Sequence, residues 1–145
     1  MKIYLAGSIA AGRDFEEVLK LVARVLEEIG HVVMTKKNVI GNELKSNPPR
    51  TLNDRRRIMK RDKKWIRECD AFIAEVSTYS HGVGYEHAYA ESLEKPILLL
   101  RHKSLMQNKY SAFLDGSDYK KFMFAFYDEN NINKIINKFL SNFFK

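Results

Sequence analysis

Two carboxylates in this chain have the residue types and surroundings of an acid–nucleophile pair. In DRRRIMKRDKKWIREC, residues 54–69, Ile58, Trp65, Ile66 and Cys69 share one face of a helix by i, i+3, i+4 and i+7 spacing. Asp62 lies four residues after Ile58 and three before Trp65, so it projects from that apolar face, while Arg56, Lys60, Lys63, Lys64 and Arg67 look outward. A carboxylate placed there must be paired or must hold its proton more tightly than usual. The structural alternative is a rim carboxylate paired with a neighbouring arginine. In STYSHGVGYEHA, residues 77–88, Glu86 follows a turn with glycines at 82 and 84, which lets a ligand approach the backbone closely. An acid at a helix start also has a purely structural explanation, since it offsets the helix dipole. Brought to one crevice, an apolar Asp62 and a helix-start Glu86 would have their proton affinities pushed apart. That arrangement suits acid and nucleophile in glycosidic bond cleavage. Tyr4, in the first apolar run and close to its carboxyl end, is either a core tyrosine bonded to backbone or the group that orients Glu86.

The elements that must position these groups are readable from periodicity. KIYLA (2–6), HVVMT (31–35), AFIAEV (71–76), PILLL (96–100) and FMFAFY (122–127) read as strands. Helices are expected from Phe15 to Ile29, stopped by Gly30, and from Thr51 or Asn53 to Cys69. Two more are expected, one from about Val83 to Glu94 and a last one carrying Ile132, Ile135, Ile136, Phe139, Leu140 and Phe143 on one face. Residues 36–50 look like a long loop, and one helix is expected around Ser104–Leu114. The alternation implies a single α/β domain, residues 1–145, doubly wound around a five-stranded parallel sheet of flavodoxin or Rossmann type. Such folds bind ligands beyond the carboxyl ends of their strands. The loop after the first strand (Gly7, Ser8, Ile9, Ala10, Ala11, Gly12, Arg13) and the turn after the third, with Ser80, Gly82 and Gly84, should therefore meet at the substrate. The first loop is neither GxGxxG nor a P-loop, but Ser8, its amides and Arg13 suit an anion or a ribose. Glu75 reads as structural or as a support to the site.

Composition narrows the partners. A net charge of +7 favours an anion, either nucleic acid or a small phosphate ester. The basic helix lacks aromatics interleaved on its charged side, so nucleic acid is disfavoured. The four histidines and the lone Cys69 have no metal-ligand spacing. One cysteine excludes a disulfide framework and fits a cytoplasmic protein. The N-terminus reads as a first strand running into a loop and not as a signal peptide, and no apolar run is long enough for a membrane span.

Tyr4-Leu-Ala-Gly-Ser-Ile, Asp62 with Trp65, Ala74-Glu-Val and Ser80-His-Gly-Val-Gly-Tyr-Glu86 together resemble the 2′-deoxynucleoside 5′-phosphate N-hydrolases, within the nucleoside 2-deoxyribosyltransferase family. KPILLL and YSAFLDGS extend the resemblance over nearly the whole chain. The resemblance implies cofactor-free hydrolysis of the N-glycosidic bond in a nucleoside monophosphate. It assigns Glu86 as nucleophile at C1′, Asp62 as the group handling the proton of the departing base, and Tyr4 as the residue holding Glu86. It also implies that Ser8 and Ser80 bind the 5′-phosphate, with Ser111 supplied by the neighbouring subunit of a homodimer. Ala10 stands where these hydrolases often carry arginine, and Lys37 where histidine is common. The alternatives are a base-exchanging deoxyribosyltransferase using the same glutamate, and a nucleotide- or nucleic-acid-binding module without catalysis.

Overall fold

The computed structural model describes residues 1–8, 16–39 and 51–144. Its elements in chain order are β1 (Lys2–Gly7), α1 (Glu16–Glu28), β2 (Val32–Val33), α2 (Lys36–Val39), α3 (Leu52–Glu68), β3 (Ala71–Glu75), α4 (His81–Ser92), β4 (Ile97–His102), β5 (Phe122–Tyr127) and α5 (Ile132–Phe143). The strands form one sheet in the order β2-β1-β3-β4-β5, and every pairing is parallel. This is the doubly wound arrangement expected from the alternation of elements.

Alternation within β1 builds the two layers. Ile3 and Leu5 join Leu19, Val22 and Leu26 of α1 and Ile136 and Phe139 of α5 in one core. Tyr4 and Ala6 face the other core, with Ile66 and Cys69 at the end of α3 and Val83 and Ala90 of α4. Chain order reverses direction at β1 and β3, whose register pairs Gly7 with Glu75. Their carboxyl ends therefore lie side by side at the switch point where such sheets hold ligands. A Cβ at Gly7 would press to 2.7 Å from Leu19, so this glycine lets α1 close onto the sheet. That gives Gly7 a packing role independent of any substrate.

Helix α3 begins with a reciprocal cap. The Thr51 hydroxyl accepts from the Asp54 amide, and the Asp54 carboxylate accepts from the Thr51 amide. At the other end, Lys95 Nζ donates to the carbonyls of Arg67 and Cys69. The helix that carries Asp62 is thus fixed at both termini.

Three expectations need correction. The second strand covers Val32–Val33, not 31–35. Thr35 accepts from the Leu5 amide and donates to the Leu5 carbonyl through its side chain, which replaces ladder bonding there. Residues 36–39 form the short α2 instead of loop, and the rest of that expected loop lies outside the described residues. No helix spans 104–114. Two 3-10 turns, Lys103–Leu105 and Ala112–Leu114, stand there, each started by a side-chain acceptor, His102 Nδ1 and Ser111 Oγ. Such local bonds compete with a continuous helix.

Candidate active site

Helix α4 starts two residues earlier than its glycines suggest, and this decides how Glu86 is read. Ser80 is the N-cap, its Oγ accepting from the Val83 amide at 3.3 Å. The first turn holds no acid, and Glu86 is the sixth helical residue. It neither caps the helix nor sits in the turn where an acid offsets the dipole. Its side chain points to the sheet, where Tyr4 Oη donates to Glu86 Oε1 at 2.9 Å. The Tyr4 ring is itself stacked on Phe72 of the adjacent strand at 5.5 Å. The sheet thus sets the direction from which Glu86 is held.

Asp62 comes to the same place from α3. Asp62 and Glu86 line one pocket of about 250 Å³, walled by Ile58, Met59, Ile66 and Tyr85. The pocket is mostly apolar, and burial is the largest influence on both carboxylates. It pushes Glu86 up to about 7; the Tyr4 hydrogen bond pulls back down, the Asp62 charge raises, and the Arg61 charge lowers. Asp62 is also held above its ordinary value by burial, against the opposing pull of Arg61. Arg61 Nε donates to Asp62 Oδ1 at 2.9 Å. The rim ion pair and the pocket carboxylate were alternatives in the sequence, and Asp62 is both. Burial, with the Glu86 and Asp62 charges, drives Tyr4 far above the range in which a phenol ionises, so it remains a donor.

The other expected residues are distributed as follows. Gly82 lines the carboxylate pocket, whereas Ser80, Gly84 and Ser111 line a larger groove of about 1000 Å³ on the opposite side of α4. A Cβ at Gly84 would meet nothing within 4 Å. Ser8 follows β1, half-buried at the carboxyl edge. Ile9, Ala10, Ala11, Gly12 and Arg13 lie outside the described residues. Glu75 is buried away from the pocket, accepting from the Ser77 amide and hydroxyl and from Tyr127 Oη. It supports the sheet's carboxyl edge. Among the described residues, no three His, Cys, Asp or Glu side chains group as metal ligands. No helix among them is long and apolar enough to cross a membrane.

Some neighbours escaped the sequence. Lys63 does not look outward: its Nζ sits 4.5 Å from the Tyr89 ring centroid and bonds Tyr85 Oη at 3.4 Å. Arg67 Nη1 donates to Tyr89 Oη. These contacts lock α3 to α4 and so fix the two carboxylates relative to each other. The i, i+4 step from Arg61 to Trp65 was the signal for another: the guanidinium lies 4.7 Å from the Trp65 ring.

Known proteins resemble this chain over most of its length. A 5-hydroxymethyl-dUMP N-hydrolase of Tetraodon nigroviridis is 32% identical over 98% of this chain and 99% of its own. A protein of Thermofilum pendens described as a 2′-deoxynucleoside 5′-phosphate N-hydrolase is 32% identical over 89% of this chain and 87% of its own. Among solved structures, the CMP N-glycosidase BcmB of Clostridium botulinum superposes with a TM-score of 0.65 at 20% identity, over 94% of this chain and 99% of its own. A 2-deoxyribosyltransferase of Bacillus psychrosaccharolyticus gives 0.68 at 21% identity, over 94% and 91%. The family model for nucleoside 2-deoxyribosyltransferase matches residues 3–132, and the chain belongs to that family.

Proposed function

We propose that this chain, as a single domain over residues 1–145, hydrolyses the N-glycosidic bond of 2′-deoxynucleoside 5′-monophosphates. One observation carries the proposal: Glu86, held by Tyr4 at 2.9 Å, shares a small apolar pocket with a second carboxylate, Asp62. The N-hydrolase relatives support the reaction class.

In the reactive arrangement the proton resides on Asp62 and the charge on Glu86. A Glu86 oxygen attacks C1′ of the sugar as the C1′–N bond breaks. The bonding pair leaves with the base, which takes the Asp62 proton. Water then attacks C1′ of the glycosyl ester and yields its proton to Asp62. This releases deoxyribose 5-phosphate and restores the Glu86 carboxylate. Two inversions give net retention at C1′.

The 5′-phosphate is assigned to the turns after β1 and β3. Ser8, Ser80 and Arg13 are the proposed ligands, with the remaining first-loop residues and Gly82 beside them. The positive net charge suits an anionic substrate. A homodimer completes the site, with Ser111 reaching a neighbour's phosphate. Exposure of Ser111 and of Phe113, a residue 84% accessible at the edge of the large groove, supports a second copy there. The cytoplasm is the proposed compartment, in keeping with the single buried thiol of Cys69.

The test is a panel of nucleosides and nucleotides incubated with the protein and analysed for released base. Free base with sugar phosphate establishes the hydrolase. A base-exchanged nucleoside on addition of an acceptor base would establish a transferase instead. Binding without turnover would leave only a binding module.

A further inference from the structure

We propose that Arg61 is a positioning residue for Asp62: clamped on Trp65, it holds one oxygen of the carboxyl and leaves the other free to serve the departing base. The proposal rests on the glycosidase reading of the Asp62–Glu86 pocket. Its basis is geometry. Arg61 and Asp62 are consecutive on α3, so their side chains leave the helix about 100° apart. Only a bent-back guanidinium can reach its neighbour's carboxyl. The Trp65 ring, one turn further on, supplies the surface against which the bend is held, at 4.7 Å. From there Nε donates to Oδ1 at 2.9 Å. The Asp62 side chain is only 16% accessible and that of Arg61 27%, so the pair is shielded from water on most sides.

The charges around Asp62 show what the clamp does. Tyr4 from β1 and Glu86 from α4 face it across the site, and Arg55, Lys63 and Tyr85 line the same pocket. Burial favours the protonated form of both carboxyls, and the Asp62 charge adds to this at Glu86. Arg61 is the cation in direct contact with Asp62 and opposes that trend. It keeps Asp62 acidic enough to surrender its proton to a base. A lysine would bring the charge without the planar face that stacks on Trp65 or the Nε–H that meets Oδ1.

The experiment compares wild type, Arg61→Gln and Arg61→Lys by the pH dependence of base release from a deoxynucleoside monophosphate. Carboxyl ¹³C titration of Asp62 and Glu86 in the ligand-free proteins runs beside it. Arg61→Gln should lower kcat by about tenfold or more. It should move the ionisation of both carboxylates upward by about half a pH unit or more. Arg61→Lys should return the titration most of the way while leaving kcat reduced. Trp65 is the only tryptophan, so its emission checks that the fold persists and that the stack is gone. A folded Arg61→Gln protein with wild-type titration and kcat overturns the proposal. So does a loss of rate without any titration shift, which would mark Arg61 as merely structural. No base release by the wild type would instead sink the glycosidase reading, and the ¹³C titration would still judge the Arg61–Asp62 coupling.

Discussion

Tyr4 and Glu86 are 82 residues apart in the chain and joined by one hydrogen bond of 2.9 Å, from a strand to the second turn of a helix. That bond favours the ionised form of Glu86 against the burial that disfavours it. Removing it in Tyr4→Phe should therefore raise the Glu86 midpoint above the wild-type value of about 7. In a pH–rate profile the rising limb should move to higher pH, with most of the lost activity recovered in alkaline buffer. A limb that stays in place would show that Tyr4 does not act through Glu86.

Glu86→Gln should lose several orders of magnitude in turnover, because an amide cannot form the glycosyl ester. It should also be more stable than wild type at neutral and alkaline pH. Folded Glu86 binds its proton more tightly than the ordinary 4.5, with a midpoint of about 7. Its contribution to stability is thus fully present below 4.5 and is lost as pH rises through 7. The difference corresponds to about 3 kcal/mol. Denaturation curves at about pH 4 and about pH 8.5, on either side of that window, should show the variant gaining only at the higher pH.

Asp62→Asn should slow the natural substrate by about 10²–10⁴-fold. A substrate whose leaving group needs no proton should be affected far less. Because the Asp62 charge raises Glu86, the same variant should lower the Glu86 midpoint. Equal slowing of both substrates would remove Asp62 from the acid's role.

Removing the substrate's 5′-phosphate should lower kcat/KM by several hundredfold. Two or three charge-assisted hydrogen bonds at about 1.5–3 kcal/mol each are at stake. Arg13→Ala should erode that preference more than Ser80→Ala does, since Ala10 brings no charge to the first loop. Equal turnover of nucleoside and nucleotide by wild type would favour the transferase.

If the proposed homodimer forms, Phe113→Asp should convert it to a monomer in sedimentation and abolish activity at low protein concentration. Mixed Glu86→Gln and Ser111→Ala proteins should then regain part of the lost activity through hybrid dimers. Without any recovery, Ser111 would not act across subunits.

The fold was largely legible because its strands are short apolar runs, those of β1, β3 and β4 buried on both faces. FMFAFY begins and ends where the sequence placed it, and the last helix runs from Ile132 to Phe143 as its apolar stripe requires. The start of α4 was hidden by Gly82 and Gly84, whose poor helix propensity argued against helix before Val83. The true signal was Ser80 three residues ahead of Val83, a side-chain cap. The face of Asp62 followed from spacing and a neighbouring arginine was its expected partner, but which arginine was not legible: an i, i+1 ion pair depends on a side chain folding back, which periodicity does not encode. Residues 101–120 resisted because their order comes from local caps and from Tyr110 stacking on Phe124, not from a repeating pattern.

Ser80 uses its oxygen lone pair to accept from the Val83 amide, and this commits nothing of its O–H. A hydroxyl is both acceptor and donor, so one atom can start the helix and offer a proton to an anion at the same moment. Aspartate would cap α4 as well but would repel a phosphate; asparagine would cap it with a carbonyl oxygen and have to turn its amide outward; alanine would do neither. Only serine and threonine satisfy both demands with a single oxygen. Under the proposed phosphate role, nucleotide turnover should tolerate only serine or threonine at this position, whereas turnover of an uncharged nucleoside should tolerate any good helix cap.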